Sequence, residues 1–520
     1  MRTAAYPLGQ KEGQRGGRRV ELKLTRETLR LERLVNRGEE QVTIEGEATL
    51  PGSMRDAVTV LGVQAQAHLN DVQAGKDEVG VRGRVCFQVL YTQGDLTRVR
   101  SLETGCDFTH TFPLAGVTPS MRVWAGAAVQ ETEGIAGSGR MTLRALLDVQ
   151  TEAFEATERA CVTGAEDADE AGNLQTRLQK FAYSMGTTLG QEKTLVREEF
   201  DLPAKLEVED VLSATASAAV SELSGGNGRT AASGTIEVRV LHRPEKAGHP
   251  MVLTVHELPF DVAIATPLPE DGTRMQATAE VVDVMADSAE SDGSRTLRVE
   301  AEVRVTLRQY ARREVCLLED LYSLNGPVVE PTAEQIDVHT LETETEARES
   351  TRLQVALPSD MPPIGCMLAC LAQPTMTSVT PSGRRLDAEG VMHVTLIYLP
   401  ADSDIPVAAH THEPFVMTFP IEVGEDVRVQ AYPIETTPGP TTSDRAELRC
   451  VLGLRAREHG VQRVRCVMEV TEHPPEKREH GFVLIWPAAG ETRWETARRL
   501  RVAQEDLHPA GKRALLALRR

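Results

Sequence analysis

A chain of 520 residues with 41% hydrophobic and 26% charged side chains has the make-up of a folded protein, and its length asks for three or four domains of about 150 residues each. Its formal net charge of −20, from 57 Lys and Arg against 77 Asp and Glu, would repel nucleic acid, and aromatics at 4% leave few rings for base stacking. Nucleic acid is therefore excluded as a partner, and the cores must be built from Val, Leu, Ile and Ala.

From the N-terminus, residues 1–36 form a basic segment, with nine Lys and Arg against four Asp and Glu. No apolar stretch follows its opening charges, so no Sec-type signal peptide is predicted and the chain is expected to remain in the cytoplasm. The longest apolar runs, residues 366–372 and 482–486, fall well short of the roughly 20 residues that span a membrane, so no transmembrane segment is predicted. Eight cysteines lie scattered without CxxC spacing, which suits buried reduced thiols. Cys366 and Cys370 lack the second Cys/His pair that a zinc clip needs.

Beyond residue 36 the chain is organised by self-similarity. A Leu-Pro step occurs at Leu50-Pro51, Leu202-Pro203 and Leu357-Pro358, and a Gly lies 32, 31 and 32 residues beyond each Pro. Each Gly opens an alternating run: GRVCFQVLY from Gly83, GTIEVRVLH from Gly234 and GVMHVTLIY from Gly390. Such a period-two pattern is a strand with one apolar face. A Phe follows 25, 26 and 25 residues later (Phe108, Phe260, Phe415). Gly-bearing turns at residues 74–76, 225–227 and 382–384 come just before the anchor Gly and predict hairpins fed by apolar runs at 58–69, 211–220 and 366–372. Closing strands are expected within 141–149, 296–307 and 446–454.

These landmarks predict three homologous β repeats, residues 37–155, 174–312 and 333–472, each an antiparallel sandwich or open barrel. Acidic or Pro-bearing stretches at 165–173 and 325–335 are read as linkers. His410, His412 and Glu413 form a compact HxHE cluster; two imidazoles on one strand face could hold zinc, but no third ligand is evident, and a solvated loop is expected there. The acidic run at 166–170 lacks the Gly and spacing of a calcium loop. No GxSxG elbow, HExxH helix, P-loop or strand-following GxGxxG occurs, so no catalytic residue, metal or cofactor is expected and the chain is read as no enzyme.

The C-terminal stretch is basic as well, ten Lys and Arg against six Asp and Glu over 474–520, so its +4 and the +5 of residues 1–36 leave −29 on the repeats between. An apolar strand at 482–486 runs into Gly490-Glu491-Thr492-Arg493-Trp494, where Thr492 and Glu495 have capping-box spacing and start a helix. A second short helix near 504–507 and a strand at 513–518 complete a small βααβ domain over 480–520, too short to stand without docking. The fold class is thus mainly β, three tandem repeats plus a small α+β unit.

Gly490-Glu491-Thr492-Arg493-Trp494 with Thr496-Ala497 resembles the GDTLWxIA signature of LysM domains, and Pro509-Ala510-Gly511-Lys512 resembles the step before their last strand. Three β repeats ahead of such a domain resemble the SPOCS-domain, SipL-like spore-coat morphogenetic proteins of endospore-forming Firmicutes, the Clostridia among them. The resemblance covers nearly the whole chain. It implies a non-enzymatic assembly protein in the mother-cell cytoplasm, tethering the coat at the forespore surface, with the LysM-like tail docking on the coat's basement ATPase and the repeats able to self-associate. Gly490, Glu491, Thr492, Arg493, Trp494, Arg498, Arg499 and Gly511 are the partner-binding residues it implies. The aromatic at the position of Trp494 packs inward in the LysM pattern. Glu491, Arg493 and Thr496 depart from the signature, and only three residues separate Leu507 from Gly511, which removes half of a sugar cleft. Binding of N-acetylglucosamine in peptidoglycan is the alternative reading of this tail.

Overall fold

In the computed structural model the alternating runs after Gly83, Gly234 and Gly390 become the central strands of three six-stranded units. The structure describes residues 22–50, 57–137, 139–167, 173–226, 228–246, 248–266, 273–291, 294–474, 481–510 and 514–519. The first unit holds β1 (Leu22–Thr49), β2 (Val58–Ala74), β3 (Glu78–Gln93), β4 (Asp95–Pro113), β5 (Arg122–Ala136) and β6 (Arg140–Asp167). The second holds β7 (Leu174–Leu202), β8 (Val208–Gly226), β9 (Arg229–Pro244), β10 (Val252–Ile264), β11 (Thr273–Ser291) and β12 (Ser294–Ser323). The third holds β13 (Val328–Ala356), β14 (Ile364–Ser382), β15 (Arg385–Pro400), β16 (Val407–Phe419), β17 (Val427–Thr441) and β18 (Arg445–His473).

Each unit is a sandwich of two antiparallel sheets with the same strand order: β2-β3-β4 over β1-β6-β5, β8-β9-β10 over β7-β12-β11, and β14-β15-β16 over β13-β18-β17. The chain is mainly β. The inward faces close on one another, Val85, Phe87 and Val89 with Leu143, Ala145 and Leu147 in the first unit, Ile236 and Val238 with Val299 and Val303 in the second, Val394 and Leu396 with Leu448 and Leu452 in the third. All are buried, and each Val, Leu, Ile or Phe among them contributes about 1.5–3 kcal/mol relative to exposure.

The sequence landmarks meet in space. Phe108 pairs across the ladder with Gly83, Phe260 with Gly234 and Phe415 with Gly390. A Cβ on these glycines would stand 2.7, 2.6 and 2.9 Å from the partner's ring and 2.6, 2.1 and 2.3 Å from the carbonyl oxygens of His68, Ala219 and Thr375 on the other neighbouring strand. Only Gly leaves room for the ring, which in turn covers the bare backbone.

Six strands run on beyond the sandwiches. β1/β6, β7/β12 and β13/β18 continue as two-stranded ribbons, and each ribbon carries bulges at matching places: between Leu34 and Asn36, Leu307 and Arg308, and Leu341 and Thr343 where it leaves its sandwich, then between Thr25 and Arg26, Leu318 and Asp320, and Thr332 and Ala333 toward its far end. A bulge bends its strand and re-aims side chains. The three ribbons close on a shared core of Leu29, Leu31, Cys161, Phe181, Tyr183, Leu317, Val338, Val464 and Cys466, continued by Val162, Leu318, Leu321 and Val467, to form a stalk. The pair Glu32–His339 also joins β1 to β13, fusing two sheets into one of six strands.

At the other end the small sheets of all three units meet at Leu61, Leu90, Leu212, Leu368, Ile397 and Leu399, beside a cavity of about 590 Å³. Buried charges stitch the units at the head of the stalk. Glu152 of the first accepts hydrogen bonds from Arg457 and His459 of the third at 3.1 and 2.9 Å, and Arg37 meets Asp426 in a bidentate pair at 2.6 and 2.7 Å. Burial pushes the Glu152 carboxyl up, but the hydrogen bond and charge of His459, with Arg457 and Arg37, outweigh it and hold the group below its ordinary value.

Three local readings change. The stretch 325–335, expected as a linker, is paired strand from Val328 onward, with Pro331 opposite Val470. β1 begins at Leu22 and runs through the 36/37 division, pairing with β6 along its length. His410, His412 and Glu413 lie on β16, within an unbroken ladder to β15, and form no loop. Cys366 and Cys370, both on β14, are separated by a bulge that sends Cys370 into the sandwich core and Cys366 to the inter-unit cluster.

Candidate docking site in the C-terminal domain

The tail opens with β19 (Gly481–Ile485), then α1 (Arg493–Leu500), a single 3₁₀ turn at Gln504–Asp506, β20 (Leu507–Pro509) and β21 (Leu515–Arg519), in a sheet ordered β19-β21-β20. The second helix of the expected βααβ pattern is only that turn, because residues 507–509 pair with β21 as an added strand. α1 starts where the capping box puts it: the Thr492 hydroxyl accepts from the Glu495 amide at 3.2 Å, and Glu495 Oε2 accepts from the Thr492 amide at 2.7 Å.

The tail sits on the tip of the stalk. Trp494, Ala497, Leu500 and Val502 pack with Ile485 and Leu507 against Tyr322 and Leu324, which end the ribbon of the second unit. Trp494 is buried, its ring edge-on to Tyr322 at 5.1 Å, and its Nε1–H donates to Asp320 Oδ2 at 2.7 Å. Arg498 donates to the same oxygen at 2.9 Å, Arg501 donates to the carbonyl of Ser323 at 2.8 Å, and the Tyr322 hydroxyl donates to the Val502 carbonyl at 2.8 Å. Burial, then the charges of Glu505 and Asp320, push the Tyr322 phenol up to about 12, so it stays a donor.

The remaining implied binding residues serve the tail itself. Arg493 donates to the carbonyls of Gln504 and Leu507 at 2.6 and 2.7 Å, tying α1 to β20. Glu491 accepts from the Ala488 amide at 2.8 Å and pairs with Arg499 at 3.0 Å, and Gly490 turns at φ +86°. Gly511 lies outside the described residues.

The face left open is on β19. Phe482 and Leu484 alternate along the strand and share one side, Trp486 follows directly after its end, and the three are 73, 48 and 66% exposed. β19 is also an edge strand, with a row of backbone groups facing outward. The run FVLIW carries this signal in the sequence: a continuous apolar stretch on an edge strand of so small a sheet cannot bury both faces.

Residues 56–133, which run from just before β2 almost to the end of β5, match the family model described as SipL, SPOCS domain. This chain carries a SPOCS domain. The domain marks a sporulation-related, coat-associated protein. β8 to β11 and β14 to β17 repeat the strand order of the matched SPOCS segment. No match was found among curated proteins, and none among solved structures. Among the described residues no helix is long and apolar enough to cross a membrane.

Proposed function

We propose that the chain is a non-enzymatic assembly protein of the endospore coat, in which three SPOCS units form a rigid body and the LysM-like tail tethers it to a coat-basement protein at the forespore surface. The observation that carries this reading is the tail: Trp494 and Arg498 hold it to the stalk, while an apolar stripe at an edge strand faces outward. A protein partner fits such a surface because aromatic anchors and an unpaired strand edge supply both apolar area and backbone hydrogen bonds. The resemblance supplies the coat's basement ATPase as that partner. The buried charges between units support a structural role, for Glu152 of the first unit is paired with Arg457 and His459 of the third.

The test is a pull-down from sporulating cells with the full chain, with a chain ending at residue 473, and with Phe482→Ser/Trp486→Ser. The full chain should retain the basement ATPase and the other two should lose it; retention by the truncated chain would move the docking surface to the SPOCS units.

A further inference from the structure

The HxHE cluster lacks a third ligand only in one dimension. On β15 and β16 the ladder is unbroken, with His393 directly opposite His412 and Thr395 opposite His410. Met392, Val394 and Leu396 point into the sandwich core, as do Ala409 and Phe415, so His393, His410 and His412 all stand on the outer face. His410 and His412 are exposed and His393 half-buried. Glu413, one residue on, turns to the opposite face and leaves the group.

We propose that His393, His410 and His412 form a three-imidazole site for a zinc-type divalent cation. The ring centres of His393 and His412 are 4.7 Å apart. Two imidazoles sharing one zinc with Zn–N bonds of about 2.0–2.1 Å hold their ring centres roughly 5 Å apart, so this pair already has ligand spacing. The third ring lies two residues along the same strand, within about 7 Å by strand geometry. Its Nδ1 is now 3.0 Å from Thr395 Oγ1. Among the described residues no three such side chains yet converge on one point, so loading requires His410 to leave Thr395 and turn about χ1 and χ2.

The surroundings favour a cation. Glu131 of the first unit acts electrostatically on His393, and Thr395 adjoins Gly62 of β2, so the site stands at the seam of the first and third units with a carboxylate near. Three imidazoles with an open fourth position suit zinc, cobalt or nickel, whereas magnesium and calcium require oxygen ligands.

The test uses the untagged full-length chain titrated with Co²⁺ and followed by visible absorption, then with Zn²⁺ in competition. One equivalent should give d–d bands of a four-coordinate site that Zn²⁺ abolishes. His393→Ala and His412→Ala should each weaken binding at least about tenfold, while His249→Ala, in an exposed loop, should leave it unchanged. Zn²⁺ should also raise the melting temperature of the wild type and not of His412→Ala. Absence of a Co²⁺ complex in the wild type, or affinity unchanged in His393→Ala, would overturn the assignment.

Discussion

A single missing side chain fixes the register of each SPOCS-like sheet. At Gly234 a Cβ would meet the Ala219 carbonyl oxygen at 2.1 Å and the Phe260 ring at 2.6 Å, whereas at Gly226 it would meet nothing within 4 Å. Gly234→Ala should therefore destabilise the second unit by roughly 1–3 kcal/mol or more and Gly226→Ala hardly at all, as read by thermal melting. Another residue sets a pH response. His242 occupies the place of Tyr91 and Tyr398, at the end of the anchor strand, and burial, then the charges of His256 and Arg295, depress its pKa to about 4. The neutral form is favoured in the folded state, so its contribution is complete above the ordinary value of 6.5 and is lost as pH falls toward 4, by at most about 3 kcal/mol. His242→Tyr should flatten that part of the stability–pH curve; an unchanged slope would assign it to other groups. The Gly–Phe landmarks were legible because cross-strand partners in a hairpin keep a fixed separation. His393 was not, since its place opposite His412 depends on a register that only the ladder supplies.

Among elements, α1 and its cap were readable from Thr492 and Glu495, because a capping box is local chemistry. The ribbons were not. Their strands alternate between a core face and a charged face studded with pairs such as Arg30–Glu158 and Arg33–Glu155, and such a pattern cannot say whether the strand stops at the sandwich edge or runs on into a stalk. What Trp494 and Arg498 touch was equally hidden, because Asp320 is more than 170 positions away in sequence and is aimed at them by a bulge after Leu318. Asp320→Ala should release the tail, at a cost of about 2–3 kcal/mol for two hydrogen bonds to a buried carboxylate. Limited proteolysis between residues 474 and 481 reads this: cleavage should speed up at least tenfold in the variant, and equal rates would show that apolar packing on Tyr322 suffices.

For the whole molecule, three sandwiches are joined through one stalk, with Glu152, Arg457 and His459 buried where two of them meet. The repeat landmarks announced three modules, but their joint packing rests on contacts such as Leu29 with Leu317 and Val464 that no local pattern encodes. The tail's placement at the far tip sets its outward face, with Phe482, Leu484 and Trp486, apart from the three acidic sandwiches. This division between body and tether is decided by fluorescence localisation, in sporulating cells, of the full chain and of a chain ending at residue 473. A ring at the forespore surface is expected for the first and diffuse mother-cell signal for the second, with the three units still melting cooperatively in vitro. A forespore ring from the truncated chain would refute the tether and place the address in the three sandwiches themselves.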